Sequence, residues 1–262
     1  MQLTYEQKMS IYEKGYVQIS GVIPQVMINQ AVRAINHALG EGIDPTEIQI
    51  FRSRSFCPEL QREPVITDLL NKTPALALAE SAIGPGQTKP ITAGQIALRF
   101  PTLQDPPTPP RPHLDGMYSP HNGVPKGEIR NFTMLLGVAL SEVSTPYSGN
   151  LSVWPGSHHI YERYFRERGP EALLDGMPKV DLPEPVQILA KPGDVILAHY
   201  ELAHGVAMNT SPFPRYAIYF RLHHVDHDRR SKETMTDIWL EWDGMREIVA
   251  EKIQGQATPQ SN

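Results

Sequence analysis

Cysteine is nearly absent: Cys57 is the single one among 262 residues. An internal disulfide is thereby excluded, and a reducing compartment, the cytoplasm, is expected. No stretch approaches the roughly 18 consecutive apolar residues of a membrane span, so no membrane partner is expected. An excess of basic residues is missing too. Lys and Arg total 24 against 29 Asp and Glu, a net charge of −5, which leaves no global footprint for nucleic acid. The first residues, Met1-Gln2-Leu3-Thr4-Tyr5-Glu6, lack a basic segment followed by an apolar one, so no signal peptide is expected. The last three, Gln260-Ser261-Asn262, do not form a peroxisomal Ser-Lys-Leu-type signal. Internal repeats and a convincing linker are also lacking, so residues 1–262 are expected to form one domain.

Proline (25) and glycine (19) are plentiful and 40% of the chain is apolar, which suits many short strands joined by turns around a real core. Thr4 to Lys14 reads as a helix with Thr4 as N-cap and Gln7 three residues on. Gly15 ends it, and Tyr16 to Ile19 reads as a strand. Ile28, Val32, Ile35 and Leu39 form a stripe at helical spacing after Pro24. Residues 41–64 read as loop or short elements, and Pro74 to Ile83 as a further helix. Strand character begins near Ile91. In that strand Gln95, Ala97 and Arg99 share one face and Ile96, Leu98 and Phe100 the other, as in a strand lining a pocket.

Residues 101–112 contain six prolines, so they form a stiff loop, and 116–128 form a second loop. Strands are expected at 131–140, 151–154, 186–190, 195–199 and 215–222. A short helix is expected at 161–168, a C-terminal helix at 237–252, and a polar tail over the last ten residues. The expected architecture is mainly β with flanking helices. Helical support spans about 1–90, a double-layered jelly-roll core about 91–225, and a C-terminal helix and tail about 226–262.

Between the two loops stands Pro112-His113-Leu114-Asp115-Gly116. On an extended strand, residues two apart point to one side, so His113 and Asp115 present an imidazole nitrogen and a carboxylate oxygen together. Those are two of the three ligands of a 2-His-1-carboxylate iron site. Taken alone, the pair reads as a surface histidine and a turn aspartate before Gly116. His204 follows 89 positions after Asp115, and Arg215 another 11 on, opening a strand.

With these residues the chain resembles the phytanoyl-CoA dioxygenase family of Fe(II)/2-oxoglutarate-dependent oxygenases. The resembling features are His113-x-Asp115, Gly149-Asn150-Leu151, Trp154-Pro155-Gly156-Ser157-His158, Pro192-Gly193-Asp194, His204-Gly205 and Arg215, in this order. The lead-in from Leu3-Thr4 through Gly15-Tyr16 to the Pro24 helix resembles the family too. The resemblance implies a double-stranded β-helix (cupin-like) core, one Fe(II), 2-oxoglutarate and O2, and oxidation of a small organic substrate. It implies His113, Asp115 and His204 as iron ligands and Arg215 as partner of the far carboxylate of 2-oxoglutarate. An Arg suits that task because its planar fork makes two parallel charge-assisted bonds. Related halogenases have Ala or Gly where this chain keeps Asp115, so hydroxylation is favoured.

Arg221, on the same strand face as Arg215, is the rival anchor. Gln95 and Arg99 are candidate cosubstrate contacts, and Thr133 a further one. His199 reads as a core or supporting histidine. His223, His224 and His227, among Asp226, Asp228, Arg229 and Arg230, read as a solvated segment rather than a second metal cluster. In Pro155-Gly156-Ser157-His158, Ser157 is expected to cap the following helix. Two other readings remain: a cupin-like metal enzyme (isomerase or dioxygenase) without 2-oxoglutarate, and a non-catalytic ligand-binding relative. Substrate and oligomeric state are not legible.

Overall fold

In the computed structural model, residues 1–257 are described. The N-terminal third is helical: α1 (Tyr5–Lys14), α2 (Gln25–Gly40), α3 (Ile48–Ser53), α4 (Pro64–Asn71) and α5 (Pro74–Ile83), interrupted by strand β1 (Tyr16–Ile19). Thr4 caps α1 reciprocally: its hydroxyl accepts the Gln7 N–H, and the Gln7 side chain accepts the Thr4 N–H. Seven strands follow: β2 (Gln95–Arg99), β3 (Met134–Ala139), β4 (Leu151–Val153), β5 (Val186–Gln187), β6 (Val195–His199), β7 (His204–Val206) and β8 (Arg215–Leu222). Helix α6 (Ser157–Arg168) lies between β4 and β5, and α7 (His227–Arg230) and α8 (Arg246–Ala257) end the described chain.

The strands form two antiparallel sheets, one of order β1-β6-β3-β8-β2 and one of order β5-β4-β7. Alternation divides the large sheet into two faces. Ile96, Leu98, Met134, Leu136, Val138, Ile218 and Phe220 point one way, into a core shared with Ile11, Ile28, Ile35, Ile66 and Leu78 of the helices. Each such side chain contributes about 1.5–3 kcal/mol relative to exposure. The other face carries Leu135, Ile196 and Ala198, which pack with Leu151 and Val153 of the small sheet and with Tyr161 and Phe165 of α6. Gln95, Ala97, Arg99, Arg215, Tyr219 and Arg221 belong to this second face and line a pocket between the sheets.

Several sequence expectations need correction. The stretch 237–245 is turns and a short 3-10 helix, and the C-terminal helix runs from Arg246 to Ala257. Trp242 stacks on His199 with ring centres 5.0 Å apart. A Cβ on Gly244 would lie 2.1 Å from the Ser81 carbonyl, so the chain there presses on α5 and is set by packing rather than helical periodicity. Residues 253–257 of the expected tail are therefore helical, and 258–262 lie outside the described residues. Ser157 does not cap α6. Gly156 holds the cap position, and the Ser157 hydroxyl accepts the Ala203 N–H instead, at 2.8 Å.

The 223–230 segment is not solvated throughout, since His224 and His227 are buried. His227 reaches the Glu241 carboxylate through Nδ1 (2.8 Å) and the Asn131 carbonyl through Nε2 (3.0 Å). Thr133 donates its hydroxyl to the same Glu241 oxygen and accepts the His224 N–H. This network ties the C-terminal segment to the start of β3. It also engages the Thr133 hydroxyl as both donor and acceptor, and Thr133 does not line the pocket, so it has no hydroxyl to offer a cosubstrate there. Burial alone would raise the Glu241 carboxyl, but the hydrogen bonds from His227 and Thr133 outweigh it and lower it.

Glu241→Gln should therefore lower unfolding free energy by about 3 kcal/mol, because buried donors lose their charged acceptor. The depressed folded value means the carboxylate's contribution is complete above its ordinary value of 4.5 and is lost as pH falls through the folded value. Urea unfolding of both proteins between pH 7 and pH 3 should show the gap narrowing only below that point. A constant gap would exclude the network as its source.

Candidate metal centre and pocket

The centre is assembled by an isolated pairing of backbone segments. His113 donates its N–H to the His204 carbonyl (2.9 Å), and His204 donates back to the His113 carbonyl (3.1 Å). Residues directly opposite in such a pair project to one side. The two imidazoles lie with ring centres 4.5 Å apart. Asp115, two residues on, returns to the same side. Its Oδ1 stands 3.6 Å from His113 Nε2 and 3.7 Å from His204 Nε2. These separations are too long for good hydrogen bonds, yet an ion about 2.0–2.2 Å from each atom could bridge them.

The donor set fits a divalent metal in three further respects. The three side chains each present a ligand atom within 4.8 Å of the others, the only such group of His, Cys, Asp and Glu among the described residues. His204 Nδ1 lies 3.0 Å from the Leu202 carbonyl, which keeps the proton there and leaves the Nε2 lone pair free. Burial and the neighbouring His204 lower the His113 pKa, favouring its neutral, ligating form. For His204, burial lowers the pKa but the Asp115 carboxylate more than offsets it, so the net shift is upward.

Asp115 is held as an anion. Burial would raise its carboxyl, but Arg221 and the two imidazoles outweigh burial and hold it well below the usual carboxylate range. Arg221 grips only Oδ2, through Nε at 3.0 Å and one terminal nitrogen at 2.7 Å, so Oδ1 remains turned to the histidines. Gln95 accepts the other terminal nitrogen at 2.8 Å. Tyr200 donates its hydroxyl to the Asp115 carbonyl and fixes the backbone of the triplet.

These groups open into a cavity of about 390 Å³. Arg215 lies in it and is buried; its Nε donates to the Gly149 carbonyl (2.7 Å) and its Nη1 to the Ala97 carbonyl (3.0 Å). Gly149 sits in the left-handed region at φ 76°, and a Cβ there would come within 3.0 Å of Arg99 and 3.1 Å of Arg215, so the turn can press on both only as glycine. Arg99 faces Arg215 across the β2–β8 pairing. Gln95 lines the same cavity but acts through Arg221. Met117, Tyr118 and Asn122 of the 116–128 loop also line it, as do Leu135, Leu151 and Tyr219.

A model of the family described as phytanoyl-CoA dioxygenase (PhyH) matches residues 11–217. The chain belongs to this family. Among curated proteins, the ectoine dioxygenase of Sphingopyxis alaskensis is 33% identical over 106 residues, a match covering 35% of this chain and 34% of that enzyme. The chain thus aligns with about a third of the length of this family relative. Two solved structures share the fold. HygX from Streptomyces hygroscopicus, with nickel and 2-oxoglutarate bound, has a TM-score of 0.57 at 20% identity, covering 86% of this chain and 88% of that one. EctD from S. alaskensis, with 2-oxoglutarate and 5-hydroxyectoine, also has a TM-score of 0.57 at 20% identity, covering 86% and 77%.

Sequence reading missed Arg52. It belongs to α3, in the ambiguous 41–64 region, and reaches the cavity from the helical third of this PhyH-family chain. Arg221 was legible from its alternation with Arg215, but its engagement with Asp115 was not. His199 is in the core, with Nε2 near the Ile238 carbonyl and Nδ1 accepting the Glu201 N–H.

Asp115→Ala should weaken Co(II) or anaerobic Fe(II) binding by at least about a hundredfold. Arg221→Gln, which keeps all three donors but frees Oδ2, should lose about tenfold. Calorimetric metal titration of the three proteins checks both. Wild-type affinity in Asp115→Ala would remove the carboxylate from the centre.

Proposed function

We propose that this PhyH-family protein is a non-haem Fe(II)- and 2-oxoglutarate-dependent dioxygenase. It hydroxylates, or otherwise oxidises, a small organic molecule. In hydroxylation, substrate, O2 and 2-oxoglutarate give hydroxylated substrate, succinate and CO2. The observation that carries the reading is Asp115 Oδ1 facing two imidazole nitrogens, in the lining of a cavity that also holds a buried guanidinium. The ectoine dioxygenase match and the 2-oxoglutarate bound in HygX and EctD agree with it. The two antiparallel sheets are read as a double-stranded β-helix, and the whole chain as one oxygenase unit. No helix among the described residues is long and apolar enough to cross a membrane. The buried thiol of Cys57 is consistent with a cytoplasmic setting.

His113, Asp115 and His204 would hold Fe(II), which when bound supplies the activation of O2. The chain's own groups do the positioning. The Leu202 carbonyl fixes the His204 tautomer. Arg221 holds Oδ2 of Asp115 and leaves Oδ1 to the histidines, so the carboxylate would hold the metal through that oxygen alone. Arg215 receives the far carboxylate of 2-oxoglutarate: its Nη2 has no acceptor among the described residues, and the two carbonyls that hold it carry no full charge. Met117, Leu135, Leu151 and Tyr219 give the cavity apolar walls that exclude water from the reacting region.

Anaerobic addition of 2-oxoglutarate to the Fe(II) protein should produce a metal-to-ligand charge-transfer band. Arg215→Leu should raise the 2-oxoglutarate Kd by about ten- to a hundredfold with little change in Fe(II) affinity, because one charge-assisted pair is lost. Arg215→Lys should fall between, keeping charge but not the fork. Equal binding by all three proteins would exclude Arg215 as anchor. Absence of any 2-oxo-acid binding to the wild type would favour the metal enzyme without a cosubstrate.

A further inference from the structure

We propose that the primary substrate is an organic anion, and that Arg99 together with Arg52 receives its carboxylate or phosphate group beside the metal centre. The proposal rests on the dioxygenase reading above and deepens it.

The cavity is lined by four arginines, Arg52, Arg99, Arg215 and Arg221, and by one carboxylate, Asp115. Arg221 and Asp115 neutralise each other at 2.7 Å. A divalent metal takes the near carboxylate of dianionic 2-oxoglutarate, which leaves the far carboxylate for the cavity's cations. Arg215, Arg99 and Arg52 then remain, three positive charges lining the cavity. The far carboxylate of 2-oxoglutarate carries a single charge, and the fork of Arg215 suffices to receive it. Two guanidinium groups are left without a counterion.

Arg99 is the more informative of the two. Its side chain has no hydrogen bond and no ion pair among the described residues, although it is half-buried. Its backbone is paired with Arg215, and Gly149 packs against the Cβ atoms of both, so its side chain starts on the same face as another cation. Burial first, and then the repulsion of Arg52 and Arg215, lower its pKa. Partial desolvation among like charges opposes folding, and no anion among the described residues offsets it. An incoming anion would. Arg52 approaches from α3, more exposed, and also has no ion pair among the described residues. The two guanidiniums therefore form a receptor with one member at the wall of the cavity and one at its rim. The apolar walls of Leu135, Leu151, Met117 and Tyr219 suit the body of such a molecule. Carboxylates and phosphate esters share the required chemistry, since both match the fork of arginine.

The test uses the anaerobic Fe(II) and 2-oxoglutarate complex of the full chain, titrated calorimetrically with benzoate, phenyl phosphate and the uncharged isostere benzamide. Benzoate or phenyl phosphate should bind at least tenfold more tightly than benzamide, and the tighter of the two identifies the anion class. Arg99→Gln and Arg52→Gln should each weaken anion binding by about tenfold, while the charge-transfer band reports a 2-oxoglutarate affinity within about twofold of wild type. Arg99→Lys should recover part of the loss. Benzamide binding as tightly as benzoate would overturn the proposal, as would a complex that forms the band but binds neither anion. A loss of 2-oxoglutarate affinity in Arg99→Gln, with anion binding unchanged, would overturn it by assigning Arg99 to the cosubstrate. Failure of the wild type to form the band would instead overturn the dioxygenase reading.

Discussion

The candidate centre depends on two backbone hydrogen bonds, those exchanged by His113 and His204. His113 stands at the end of a proline-rich loop with no strand of its own, and β7 is three residues long. The mutual bonds at 2.9 and 3.1 Å give the loop a register against the small sheet. That register places two imidazoles side by side and brings Asp115 back to them. β7 is in turn held by β4 and by the Ser157 hydroxyl, which accepts the Ala203 N–H next to His204. The third contact comes from the other sheet, where Arg221 on β8 holds Asp115. The centre therefore joins the two sheets, and its geometry is as rigid as their packing.

The large sheet allows this because alternation gives it two independent jobs. One face is apolar and is covered by the N-terminal helices. The other carries the charged residues, and the residues between them on the same strands are buried in the helical core. A slip of β8 by one residue would send Arg215 and Arg221 into the helices and Ile218 and Phe220 into the pocket. The apolar packing that stabilises the sheet thus also selects the arginine register.

Features governed by short-range rules were legible in the sequence. The Thr4 cap, the two-residue alternation of Gln95, Ala97 and Arg99, and the paired directions of His113 and Asp115 follow from local geometry. The ordered motifs also supplied His204 and Arg215, which the fold brings beside them. Features set by distant partners were not legible. Ser157 looks like a cap until Ala203 arrives at its hydroxyl. Thr133 looks free until Glu241, 108 positions on, takes its hydroxyl. The 223–230 segment has the composition of a solvated stretch, but Glu241 and Asn131 supply partners that let His227 be buried. Residues 237–245 look helical until Trp242 and Gly244 are seen pinned by His199 and α5. Each of these needed a contact that no local pattern encodes.

The two arginines of β8 differ in what holds them, and that difference separates their roles. Arg221 is bound to a carboxylate. Its charge is neutralised within the chain, so what it contributes is orientation: one oxygen of Asp115 is fixed and the other is presented. Arg215 is bound to two carbonyls. Carbonyl dipoles fix the guanidinium in place without cancelling its charge, so a buried cation persists with its Nη2 edge unpaired among the described residues. A carboxylate at Gly149 or Ala97 would have made a stronger pair, but an incoming ligand would then have to displace it. The buried arginine is therefore less well satisfied by the chain itself than it could be, and the deficit is what the proposed cosubstrate carboxylate would make up. Arg99 carries the same logic further, because it lacks even the carbonyls.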